Sequence, residues 1–268
     1  MTALVRTVQR NLRLARQFVR IGLIRKSQFR VEFVTQVVMD CVWYATHLAV
    51  FEILFAHTST LAGWTLGEVR VFLGFVFAAD AFQMLWLGQS WHFGRELKDG
   101  RLDTLRVRPG SPVFLYYFQR FSLEAAVNLS IALSYLGWAL NGVGLLSEPR
   151  TWLLLPWALA LVAWTRTALT VLYSIAEFYV LNSDAAHFLN EAFNNAADRP
   201  LDIFSRRVRA FFVLALPIGL LSWIPASLVL GRIGVLAGLG HSAWIGAFGW
   251  LVFRLWRAGF RRYESALS

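Results

Sequence analysis

The chain is poor in several things that many functions require. It holds one cysteine, Cys41, in 268 residues, which excludes an internal disulfide and a cysteine metal cluster. Its histidines (His47, His57, His92, His187 and His241) are scattered, with no HExxH or other metal-ligand spacing. No G-x-x-x-x-G-K-[S/T] stretch exists, so the chain cannot cradle nucleotide phosphates by that device. There is no G-x-S-x-G elbow, and Ser90 and His92 in GQSWHFG, two apart, do not face each other on a helix. Charge is scarce as well, at 16% of residues, against about 25% in soluble proteins. The net charge of +10 comes without a basic-aromatic module, so no nucleic acid is expected as partner. The first twenty residues, MTALVRTVQRNLRLARQFVR, lack the apolar core and small-residue cleavage site of a removable signal.

What is abundant is apolar and aromatic. Hydrophobic residues make up 57% of the chain, with 12 Trp and 22 Phe, and mean hydropathy is +0.52. At about 20 residues per span this describes an all-α polytopic membrane protein. The first span is expected near Phe33–Phe55, the second near Val69–Phe93, the third from Pro112 to about Asn141 and the fourth near Thr151–Tyr179. The fifth covers about Ala210–Leu230 and the sixth about Ala243–Trp256, preceded by Gly-rich apolar residues from Ile233. Pro217 and Pro225 imply a kinked or interrupted fifth span whose freed carbonyls need other partners.

Charge sets the expected orientation. Residues 1–32 form a cytoplasmic segment with Arg6, Arg10, Arg13, Arg16 and Arg20 on one helical stripe, an amphipathic helix lying on anionic lipid headgroups. A six-helix transmembrane domain follows over 33–256, with cytoplasmic loops at 94–112 and 181–209, and a basic cytoplasmic tail at 257–268. This arrangement places twenty-one basic residues inside and three outside, with both termini cytoplasmic. Arg120 and Glu124, four apart, fit one helical face at the inner end of the third span.

The stretch around which the rest is arranged is GRELKDGRLDTLRVRPGSP, Gly94–Pro112. It is short, charged and flanked by apolar spans, so it is expected in water as a loop. GWTLGEV (Gly63–Val69), GRLDTLRVRPGSPVF (Gly100–Phe114), RPLDIF (Arg199–Phe204) and WRAGFRRYESA (Trp256–Ala266) occur in that order. Together they resemble the permease subunits of ABC type-2 exporters, in the viologen-exporter-like branch. The likeness covers nearly the whole chain, although Val107 stands where that branch usually has leucine and 181–197 is less standard. The resemblance implies six spans and a second permease, identical or homologous. It also implies a dimer of separate ATPase subunits that bind ATP and Mg²⁺, in a bacterial inner membrane. It places a coupling helix within about Trp91–Leu105.

Three sets of residues follow as candidates. Glu96, Asp99, Arg101, Asp103, Thr104 and Arg106 are candidates for ATPase coupling; the plainer reading is a solvated loop that only fixes topology. Asp40, Asp80 and Arg166 lie within spans, where a charge at mid-bilayer costs about 2.5–3.5 kcal/mol on insertion scales. They are expected to face the bundle interior or a translocation path, and Asp80 with Arg166 is also readable as a structural ion pair. Trp43, Tyr44, Phe82, Trp86, Trp138, Trp164 and Trp223 either line a path for hydrophobic or cationic cargo or form interface belts and helix packing. No catalytic or metal residue is expected. The functional expectation is an ATP-driven exporter subunit for a hydrophobic or amphipathic substrate. The alternative is a membrane scaffold or a lipid-acting membrane enzyme without ATPase coupling.

Overall fold

The computed structural model describes residues 17, 20, 30–108, 111–179 and 183–262. The expected N-terminal amphipathic helix falls almost wholly outside these residues, as do the last six residues of the tail. Among the described residues the chain is helical, without strands. Five helical stretches among these residues are long and apolar enough to cross a membrane: Val31–Ala56, Leu66–Lys98, Leu123–Gly142, Pro149–Phe178 and Val235–Arg262.

Helix α1 spans Arg30–Ala56 and α2 spans Leu66–Phe82. Thr65 starts α2 with a capping box: its side chain accepts the Glu68 N–H, and the Glu68 carboxylate accepts the Thr65 N–H at 2.9 Å. Below Phe82 the second crossing loosens into a π-helical turn (Gln83–Leu87) and a 3₁₀ turn (Gly88–His92). It then re-forms as α3, Phe93–Lys98, and Gly100, at φ +70°, turns it into α4, Asp103–Val107. Pro112 opens α5, Pro112–Phe118. The chain breaks at Gln119–Ser122, and Ser122 caps α6, Leu123–Gly142, through the Ala125 N–H at 3.2 Å. The third crossing therefore starts at Leu123 and not after Pro112. Arg120 stands in the break and Glu124 in the first turn of α6, so no single helical face carries both.

Helix α7, Pro149–Tyr179, is the longest. Helix α8, Ser183–Ala197, runs back along it: Phe193 stacks on Tyr173, Asn194 reaches Arg166, and Ala197 packs beside Leu169. The chain then reaches the end of the bundle that carries the 57–65 loop, because the Trp64 indole N–H donates to Asp202 at 2.8 Å. The expected cytoplasmic loop at 181–209 is thereby corrected. Its second half lies at the Trp64 end, opposite the 94–112 segment.

The expected fifth span is corrected too. Residues 206–229 form α9 (Arg206–Ala210), a π turn (Phe211–Ala215), a break at Leu216–Pro217, a 3₁₀ turn (Ile218–Leu220) and α10 (Trp223–Val229). This hairpin dips into the bundle until Ile218 and Leu221 meet Leu169 and Ala197, and then returns. Gly231 ends beside Arg150, and Arg232 bonds Glu68 and the Gly63 carbonyl. Pro217 has no N–H to offer the Val213 carbonyl four residues earlier; the Trp244 indole supplies the bond instead, at 3.1 Å. Helix α11, Val235–Arg262, makes the last crossing and takes in the Gly-rich residues before Ala243.

Two apolar cores hold the ends. At the Trp64 end, Trp64, Phe72, Phe75, Leu136 and Leu140 are buried between α1, α2, α6 and α7. Gly74 lets α2 and α6 touch, since a Cβ there would lie 2.7 Å from Leu136 Cδ1. At the other end, Phe93, Leu102, Leu105, Tyr117 and Trp256 form a second core that seats α3, α4 and α5 on α7 and α11.

Candidate functional site

The first candidate is a polar cleft of about 470 Å³, lined by residues of α1, of the second crossing from Asp80 to Trp91, of α7, of α8 and by Asp198 just beyond α8. Asp40, Asp80 and Arg166 all line it, joined by Gln83, Glu191, Asn194, Asn195 and Asp198. Trp43, Met39, Met84 and Trp91 supply the apolar wall. Its size is that of a small-molecule site, and four carboxylates face one guanidinium.

Three of the charged groups in the cleft are held by partners on neighbouring helices. Arg166 is buried on α7; its Nε donates to the Ala79 carbonyl at 3.2 Å and one terminal nitrogen to Asn194 Oδ1 at 2.7 Å. No contact ion pair joins it to Asp80; the two act on each other only through space. Asp40 is buried and takes hydrogen bonds from Gln36, at 3.3 Å, and from Asn128 of α6. Asp198 lies 3.7 Å from His47 Nε2. Asn128, Asn194 and Asp198 carried no sequence signal of their own; only the return of α8 along α7 brings the last two here.

The second candidate is the platform made by α3 and α4. Gly94–Pro112 is no open loop. Phe93, Leu97, Leu102 and Leu105 point into the second core and Gly94 is buried beside them, while Arg95, Lys98, Asp99, Arg101, Thr104, Val107 and Arg108 are exposed. Glu96 is corrected from a docking residue to a buried one: its carboxylate accepts from Gln89 Nε2 at 2.5 Å. The Tyr116 hydroxyl donates to the Gln89 carbonyl at 3.2 Å. Burial, helped by the charge of Glu96, pushes the Tyr116 phenol well above its ordinary pKa, so it remains a neutral donor. Glu177, buried on α7, faces the Gly94 N–H and Lys98 and ties the platform to the longest helix. Asp99 pairs with Arg101 at 3.6 Å, and Thr104 Oγ1 donates to the Arg101 carbonyl at 3.0 Å. Asp103 is half-buried in the first turn of α4, and the side chain of Arg106 lies outside the described set.

Long apolar helices enclosing a polar cleft, above a short charged platform, define a multi-pass membrane protein of transporter type. Residues 41–266 match the family described as ABC-2 family transporter protein, and the chain belongs to that family. No curated protein and no solved structure matches it. Within this family the chain is a membrane component.

Proposed function

We propose that this chain is the membrane-spanning permease subunit of an ATP-driven exporter in a bacterial inner membrane. It works with a dimer of separate ATPase subunits, which bind ATP and Mg²⁺, and with a second permease, identical or homologous. The observation that carries the reading is the family match over 41–266, combined with a platform whose inner face is apolar core and whose outer face is charged.

In this reading the platform end is cytoplasmic. Asp99, Arg101 and Thr104 on its exposed face, with Asp103 and Arg106 in the same helix, meet the ATPase. Movement of α3 reaches α7 through Glu177 and the second crossing through Gln89. The irregular turns between Phe82 and Phe93 are where that crossing can bend, since π and 3₁₀ turns replace regular helix there. Asp40, Asp80 and Arg166 serve the translocation path through the polar cleft, which opens and closes toward the two sides in turn. The cargo is a hydrophobic or amphipathic molecule.

The test is mild-detergent purification from native membranes with mass spectrometry of stoichiometric partners. Recovery of an ATPase subunit supports the proposal, and a second homologous permease beside it would show a heterodimer. Recovery of the chain alone or only with itself, under several mild detergents, would sink it.

A further inference from the structure

The C-terminal half of α11, from Trp250 onward, carries a stripe that the proposed function does not use. At 100° per residue, Trp250, Arg254, Arg257 and Arg261 fall within roughly 60° of one another. All four are exposed on the bundle's outer surface, while Val252, Trp256, Gly259 and Phe260 of the same helix are buried against the bundle. The stripe borders a cleft of about 490 Å³ with Leu255 beside it. Ala258, one helical turn from both Arg254 and Arg261, lines it with the smallest side chain, so a longer one there would take up part of its space.

The charges here are uncompensated within the helix. Helix α11 has no acidic residue in all 28 positions. Among the described residues none of the three arginines makes an ion pair. Arg257 and Arg261 are like charges at i,i+4, an arrangement that costs the helix stability. Helical side chains lean toward the N-terminus, and the Arg254 guanidinium accordingly lies 4.8 Å from the centroid of the Trp250 ring. That position is on the apolar side of the stripe, where a cation is poorly solvated.

We infer that this cleft is a binding site for an anionic phospholipid, with its headgroup phosphate among Arg254, Arg257 and Arg261 and its acyl chains along Leu251 and Trp250. Charge complementarity and the order of the residues along the helix carry the assignment. The arginines stand toward the helix end that meets water, and the exposed Trp250 and Leu251 stand about one turn deeper than Arg254, which is the layering of a lipid molecule itself.

The experiment is native mass spectrometry of the full chain in neutral detergent, titrated with phosphatidylglycerol and, separately, with phosphatidylcholine. The expected result is tighter retention of phosphatidylglycerol, weakened about tenfold in the Arg254→Gln, Arg257→Gln, Arg261→Gln triple variant. Ala258→Leu keeps every charge but takes up space between the arginines, and weakens retention as well; it decides the matter if the triple variant folds poorly. Arg206→Gln with Arg207→Gln, at the opposite end, leaves retention unchanged. Equal retention of the two lipids, or phosphatidylglycerol retention unmoved by both the triple variant and Ala258→Leu, overturns the inference. Loss of an oligomer in the triple variant with lipid binding intact would show that a second copy covers this face, and would overturn it as well.

Discussion

The indole N–H of Trp64 and the carboxylate of Asp202, 138 residues apart in sequence, meet at 2.8 Å. The same carboxylate oxygen accepts from the Trp223 indole at 2.7 Å, and the other oxygen pairs with Arg209. Arg232 lies 4.2 Å over the Trp64 ring and bonds Glu68 at 3.1 Å. One aspartate thus fastens the re-entrant hairpin to the loop between α1 and α2. Asp202→Ala leaves two indole donors and a guanidinium without their acceptor. Because Asp202 is only partly buried, the expected loss is about 1–3 kcal/mol, read as a lower melting temperature of the purified protein. Asp202→Asn retains an acceptor oxygen and is expected to lose less. Equal melting of Asp202→Ala and the parent would show that the node does not hold the hairpin.

The same contact fixes which residues share a side of the membrane. With Cys41 replaced by Ser, single cysteines at Thr58 and Arg206 are expected to react with a membrane-impermeant maleimide from one side, and a cysteine at Arg101 from the other. Labelling of Arg206→Cys together with Arg101→Cys from one side would contradict the placement of the hairpin.

Sequence reading recovered the helical class and the broad positions of the first, second, fourth and last crossings, and it singled out Asp40, Asp80 and Arg166, which the fold brings to one cleft. Long apolar runs and costly buried charges are local signals, legible without tertiary contacts. The hairpin was misplaced because Arg199, Arg206, Arg207 and Arg209 form a basic cluster, and charge counting draws such clusters inward. Their actual partners, Asp202 and the Trp223 ring for Arg209, appear only when the chain is folded. Pro217 did announce an interruption, but not that the chain turns back there. Glu96 was misread for a related reason: a carboxylate in a charged stretch looks solvated until Gln89 and Tyr116 are seen to enclose it. Glu177 left no signal beyond being an acid at the end of an apolar helix.

Close packing of α2 on α6 gives a stability prediction that does not depend on function. A Cβ at Gly74 would meet Leu136 Cβ at 3.0 Å and its Cα at 3.1 Å. Backbone cannot move aside as a flexible side-chain tip does. Gly74→Val is therefore expected to destabilise by about 1–3 kcal/mol. Gly137→Ala on α6, with open space around it, is expected to be neutral or to stabilise by up to about 1 kcal/mol. Thermal unfolding of the two variants side by side checks the contrast; matching melting temperatures would mean the helices are not in contact at Gly74.

The cleft gives a separable prediction about Arg166. Arg166→Ala removes the donor that joins the Ala79 carbonyl on α2 to Asn194 on α8. Arg166→Lys keeps the charge but not the forked geometry that serves two acceptors at once. In a reconstituted transport assay both variants are expected to lose activity, Ala more than Lys, while ATPase subunits still co-purify. Full transport by Arg166→Ala would remove this residue from the path.

The two faces of the platform make opposite predictions. Glu96 is enclosed, so Glu96→Ala strips the Gln89 amide of its acceptor and is expected to lower stability by about 1–3 kcal/mol, with platform and permease failing together. Asp99 and Arg101 are exposed and pair with each other, so Arg101→Glu is expected to leave the stability within about 0.5 kcal/mol of the parent and the melting temperature nearly unmoved. Reversing a charge at a docking surface nonetheless opposes its partner, and recovery of the ATPase is expected to fall by about tenfold in the same variant. Measuring melting and co-purification on both variants separates the roles. If Arg101→Glu binds the ATPase as well as the parent does, and the same holds when Asp99 and Thr104 are replaced, the exposed face of α3 and α4 is not the coupling surface and the proposed route of the ATPase stroke fails at its first contact.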